Sequence, residues 1–111
     1  MKKYKFGDVI LIEFPFTDGK NTKKRPALVL YHDIKDQEFM LARITSKIYQ
    51  GKFDVVINNW QDCGLLLKSC IRLGKIATLH NSLLYKKLGE ISIDEYQNII
   101  SKLCAIFQPE N

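Results

Sequence analysis

Arg25 and Thr45 are the side chains best suited to chemistry in this chain, each set in a polar stretch beside an apolar run. Arg25 closes the segment KNTKKR, which places Lys20, Lys23, Lys24 and Arg25 within six positions. Pro26 follows, fixing its own φ and driving the preceding residue toward extended backbone. The guanidinium therefore leaves a stiff support, and its rigid fork of N–H donors suits a phosphate. Thr45 lies in RITSK, residues 43–47. If Ile44 points into a core, Arg43 and Thr45 point to the other face, and pairing of two neighbouring strands brings the Thr45 hydroxyl to the surface that holds Arg25. Taken singly, a strand threonine or a loop lysine is an ordinary surface residue. The clustering of Lys20, Lys23, Lys24 and Lys47 around Arg25 favours an electrostatic groove for a nucleic-acid backbone, one that weakens with added salt.

Stacking residues for bases are available in Phe14, Phe16, Tyr31 and Trp60, all of which are also suited to core or end packing. Trp60, in a polar stretch, is the best placed of them. Other chemistries fit poorly. There is no GxxxxGK[ST] or GxGxxG phosphate loop. With only His32 and His80 present, a nuclease built on paired imidazoles has little to draw on. His80 reads as a turn residue and His32 as a reserve candidate for proton transfer. Cys63, Cys70 and Cys104 are odd in number and lack CxxC spacing, so neither a zinc site nor a disulfide framework is expected. No metal and no cofactor is called for, and reduced, mostly buried thiols point to a cytoplasmic protein.

The elements that must position these residues are mostly short strands. GDVILIEFPF (7–16) is β-branched and aromatic and closes at Pro15. TDGKNTKK has the chemistry of a surface turn, and PALVLYH (26–32) resumes a strand at Pro26. FMLARITSK (39–47) and FDVVIN (53–58) read as the third and fourth strands. KSCIRL, KIATLH and KKLGEIS read as further short strands or extended connections. The period then changes: Ile93, Tyr96, Ile99, Ile100, Leu103, Cys104 and Phe107 mark one face of a helix. Ser92 and Glu95 form a capping box at its start, and Pro109 lies beyond its end. Strands at this spacing predict a closed or nearly closed β structure with one C-terminal helix, forming a single domain over residues 1–111.

The net charge of +5 favours a polyanionic partner, and its distribution sharpens the point. Residues 1–50 hold ten Lys/Arg against six Asp/Glu, whereas residues 51–111 hold seven against six. The excess sits chiefly in the 20–25 segment. No apolar stretch approaches the ~18 residues of a membrane span, and the N-terminus lacks the pattern of a signal peptide. Neither a membrane nor secretion is expected.

The string GDVILIEFPFTDGKNTKKRPALVL, with ITSK, DVVI, GLLLKSCIRLGKIATL and KLGEIS after it, resembles the MazF/PemK family of toxin endoribonucleases. The likeness runs through nearly the whole chain. Its most specific parts are the GD opening of the first strand, the RP step into the second and the ITS turn of the third. The resemblance implies a small SH3-like β-barrel of the CcdB/MazF kind with a C-terminal helix, assembled as a homodimer. It also implies metal-independent, sequence-selective cleavage of single-stranded RNA such as mRNA, and a cognate antitoxin whose acidic segment occupies the RNA groove. Carried over by position, the catalytic residues are Arg25 and Thr45. Thr17, Lys20, Lys23, Lys24, Ser46, Lys47 and Trp60 are assigned to RNA binding. The chain departs from the family pattern at Lys20, where many members carry a Glu five residues before the Arg, so that position supplies no carboxylate base. Two other readings stand beside this one: a non-catalytic RNA-binding or SH3-like interaction module, and a DNA gyrase poison of the CcdB kind.

Overall fold

The computed structural model describes residues 2–15 and 22–109, with Thr22 described through its backbone alone. Thr17 and Lys20, two of the residues expected to bind RNA, fall outside this set, as does Phe16. Six strands and one helix follow in chain order: β1 (Asp8–Pro15), β2 (Thr22–Asp33), β3 (Glu38–Thr45), β4 (Asp54–Ile57), β5 (Ser69–His80), a 3₁₀ turn (Asn81–Leu83), β6 (Leu84–Glu90) and α1 (Ile93–Ile106). All strand pairs are antiparallel, in the order β4-β5-β3-β2-β1-β6.

The mainly β class with a C-terminal helix is the expected one. Closure is not: β4 and β6 remain the two edges of the sheet. Instead of closing, the sheet buries apolar side chains on both faces. Alternation along β1 sends Val9 into a cluster with Leu28, Ala42, Ile44, Ile57 and Ile71. Ile10 and Ile12 go into another with Ala27, Val29, Phe39 and Leu41. Helix α1 covers the first cluster through Ile99, Leu103 and Ile106. The second is covered by Tyr4 and Phe14 and, at the far end of β5 and just past it, by Leu79, Leu83 and Leu84. KSCIRL and KIATLH, expected as separate strands, are one strand: β5 pairs with β3 at both ends and bulges between Arg72 and Ile76. A bulge bends its strand, which carries the end of β5 across to the second cluster.

At the helix start, Ser92 Oγ accepts from Glu95 N at 3.3 Å, so half of the expected capping box forms. The Glu95 carboxylate makes no hydrogen bond in return: both of its oxygens are buried and unpartnered. Burial raises its pKa above the ordinary 4.5, against the opposing pull of the nearby Asn59 and Asn58 amides.

Candidate nucleic-acid interface

Pro26 sits opposite Leu11 in the ladder with β1, while the ladder with β3 ends one residue later at Ala27↔Arg43. Having no N–H to give, Pro26 cannot extend that second ladder by donation. β3 runs on to Thr45, paired there with Cys70 of β5. Carrying the Ala27↔Arg43 register two residues further sets Arg25 opposite Thr45. Both belong to the face that holds Ala27, Leu41 and Ile12, with Arg43 diagonal to Arg25. Ile44 is buried in the first cluster, so the face expected for Arg43 and Thr45 is the one they take.

Where the strands cease to pair, a cleft of about 610 Å³ opens. Leu11, Arg25 and Pro26 form one side, and Arg43 through Lys47 the other. The far wall is Gly64 to Leu67 with Ser69, joined by Lys86 and Leu88 of β6. Its ionisable lining is Arg25, Arg43, Lys47 and Lys86, with no carboxylate and no imidazole among the described residues. Thr45 Oγ1 accepts from Lys47 N at 3.2 Å, which orients the hydroxyl within the bend after β3. Four cations with the hydroxyls of Thr45, Ser46 and Ser69, on a partly apolar floor, suit an anion carrying flat apolar groups.

The far wall is held by a close backbone approach. Gly64 has φ +79°, and a Cβ there would lie 2.1 Å from the carbonyl oxygen of Leu88. A Cβ on Gly89 would lie 2.6 Å from the carbonyl carbon of Cys63. Only glycine permits both conditions at residue 64. Leu66 is 90% exposed and Leu67 62% exposed, so these two line the opening while Leu65 beside them joins the first core cluster.

The expected site residues divide. Arg25, Thr45, Ser46 and Lys47 come together in the cleft. Lys23 and Lys24 are exposed on β2 outside its lining, Lys24 with its ammonium 3.8 Å from the centre of the Tyr85 ring. Trp60 packs, half-buried, against the first core cluster and does not reach the cleft. Phe14 packs on the second cluster, and Tyr31 lies in a separate hollow beside Tyr4 and Phe6. His32, held in reserve for proton transfer, is 2% exposed. Its Nδ1 accepts from Tyr4 N, so Nε2 carries the proton donated to Asn81 Oδ1, both at 3.0 Å, and its ring stacks on Phe39. Burial, followed by the charges of Glu95 and Asp62, raises the Cys63 thiol to about 11, which keeps it protonated and unreactive. Sequence reasoning missed Arg43, Lys86 and the Leu65–Leu67 wall. Alternation from Thr45 already marks Arg43, whereas nothing local to Lys86 distinguishes it from Lys87.

Lys87, its neighbour on β6, serves another centre. Its Nζ lies 3.1 Å from Asp8 Oδ1 and 3.5 Å from Glu90 Oε1. Asp8 is almost wholly buried, accepts from Lys5 N at 2.9 Å and is 3.4 Å from Lys5 Nζ, which also pairs with Glu90. Burial pushes the Asp8 carboxyl upward, but the Lys5 amide and the Lys87 ammonium outweigh it, leaving the group below its ordinary 3.8. The GD opening of the first strand is thus a structural anchor.

The family described as PemK-like, MazF-like toxin of type II toxin-antitoxin system matches residues 5–107. No curated protein matches the chain in sequence. Among solved structures, the Mycobacterium tuberculosis toxin MazF-mt6 superposes with a TM-score of 0.75 at 16% identity, covering 94% of this chain and 99% of that one. An endoribonuclease in complex with its cognate antitoxin from a mycobacterial species gives 0.73 at 17%, covering 98% and 100%. A MazE-MazF structure from Deinococcus radiodurans gives 0.75 at 18%, covering 93% and 94%. At these identities the likeness establishes the fold.

Proposed function

Since the chain belongs to the family of PemK-like, MazF-like toxins of type II toxin-antitoxin systems, we propose that it is a metal-independent endoribonuclease that cuts single-stranded RNA in the cleft between β2 and β3. The observation that supports this most directly is the meeting of Arg25 and Thr45 in a lining that holds four cations and no acid among the described residues. In the proposed step the ribose 2′-oxygen attacks the adjacent phosphorus. The O2′–P bond forms and the P–O5′ bond breaks, leaving a 2′,3′-cyclic phosphate and a 5′-hydroxyl. The 2′-OH proton passes to water, and the departing 5′-oxygen takes one from water. Arg25 neutralises charge growing on the phosphoryl oxygens, a preorganised interaction of the kind worth about 3–4 kcal/mol for one donor. Thr45 positions the phosphate by hydrogen bonding, while Ser46 and Lys47 hold the strand beside it. A guanidinium is a poor base, and Arg25 is assigned no proton.

The same charge would attract an acidic antitoxin segment, which would compete with RNA for the cleft; a homodimer acting in the cytoplasm completes the proposal. The lack of any carboxylate or imidazole in the described lining favours, as a second reading, a chain that grips RNA without cutting it. One experiment decides between them. Purified protein is incubated with a long defined RNA in EDTA, and the ends are mapped. Cuts at short recurrent sequences with 2′,3′-cyclic phosphate ends are expected. Intact RNA that remains bound to the protein selects the second reading, and intact unbound RNA removes both.

A further inference from the structure

Arg43 has a placement that the fold alone does not explain. It stands directly opposite Arg72 in the β3–β5 ladder, and like charges facing each other across strands are destabilising. The two are not equivalent. Arg72 turns aside: its Nε lies 3.1 Å from Asp54 Oδ1, and its guanidinium stacks 3.7 Å from the centre of the Tyr49 ring. Asp54 is thereby engaged, and it also accepts from Gly51 N at 2.8 Å. Arg43 is exposed, has no acidic partner among the described residues, and lines the cleft that Arg25 also lines. Arg43 and Thr45 are two residues apart on one face of β3, a separation of about 6–7 Å, comparable to the step between successive phosphates of an extended strand.

We propose that Arg43 binds the phosphate next to the one held by Arg25 and Thr45, so that β3 reads two consecutive linkages of a single RNA strand. This rests on the RNA-binding part of the function proposed above and not on cleavage. An anion seated at Arg43 offsets the charge that faces Arg72 across the ladder, which gives the position a use despite its cost. Arg43 is then a binding residue for the flanking linkage and touches no reacting atom.

The test uses the full chain and a 2′-O-methyl oligoribonucleotide of about eight residues, which lacks the attacking hydroxyl and is not cut. Affinity is measured between 50 and 200 mM salt for the unaltered protein, Arg43→Ala and Arg43→Lys. Each neutralised phosphate on a single strand contributes about 0.7 to the slope of log affinity against log salt. Arg43→Ala is therefore expected to flatten the slope by about 0.7, Arg43→Lys to retain it, and neither to lower the melting temperature. An unchanged slope in Arg43→Ala, or a lowered melting temperature in both variants, overturns the proposal. A cleavage series completes it: the deficit of Arg43→Ala against the unaltered protein should be larger on a tetranucleotide than on a dinucleotide, which has one linkage. Protein that cuts RNA with a slope indifferent to residue 43 refutes this inference alone. Protein that binds with the expected slope change yet never cuts refutes only the nuclease reading.

Discussion

Lys86 and Lys87 are adjacent on β6, yet they belong to centres of opposite character. Lys87 meets Asp8 and Glu90, and with Lys5 it forms a closed set in which each charge has a partner. Lys86 joins Arg25, Arg43 and Lys47 in a lining that holds no acid among the described residues. The first arrangement offsets the cost of burying a carboxylate and so serves the fold. The second sets four like charges side by side with no carboxylate among the described lining residues, an arrangement that suits an anion from outside. Whether a charge is answered within the chain therefore separates anchor from site more cleanly than its identity does, since both centres are built from the same residue types.

The sharpest way to break this contrast is to remove Arg25. In Arg25→Ala the single-turnover cleavage rate is expected to fall by about 10²–10³, while the urea midpoint moves by less than ~0.5 kcal/mol equivalent, as for an exposed residue. A large loss of stability would place Arg25 with the anchors instead.

The reciprocal change is Asp8→Asn, which leaves Lys5 and Lys87 with Glu90 as their one acidic partner among the described residues. A stability loss of about 2–3 kcal/mol is expected by urea unfolding, less than the ~3–5 of a fully buried pair because both lysines keep contact with water. RNA cleavage well below the melting temperature should be unaltered. The acid limb gives an independent check. Because the folded carboxyl lies below 3.8, its stabilisation is complete above that pH and is lost as pH falls through the lower folded value. Asp8→Asn should therefore flatten the stability profile in that window.

Glu95 sharpens the contrast from a third direction: both of its carboxylate oxygens are buried and, among the described residues, make no ion pair, the Asn59 and Asn58 amides offsetting only part of the cost of burial. Its raised pKa means that folding disfavours the charged form, so its penalty is present above the folded pKa and fades as pH falls toward 4.5. Glu95→Gln should gain about 1 kcal/mol near pH 8, the low end of the cost of an unsatisfied buried group. The gain should vanish near pH 4.5 in paired melting curves.

Much of this was legible in the sequence where the signal is local. Alternation around Ile44 put Arg43 and Thr45 on one face, the Arg-Pro step marked a stiff cation, and Ser92 marked the helix start. What failed depended on distance or on context. The run Leu65–Leu67 looks like core, and periodicity cannot tell that its backbone is pinned against β6 with two of its side chains turned outward. Trp60 sits in a polar stretch but finds the core through the turn that follows β4. Gly74 and Lys75 interrupt the apolar pattern of β5, so one bulged strand looked like two. His32 could be placed only once Tyr4 and Asn81, distant in sequence, were seen to occupy its two nitrogens. Closure of the sheet is a property of its edges, and strand spacing does not determine which strands those are.

The contact between Gly64 and the backbone of Leu88, matched by Gly89 against Cys63, has a consequence for how the opening behaves. Main chain rests on main chain there with no side chain interposed, so the spacing of the 63–64 turn from β6 is set by covalent geometry and atomic radii instead of by rotamers. Substitutions among Leu65, Leu66, Leu67 and Lys86 can then reshape the mouth while the backbone wall behind it keeps its place.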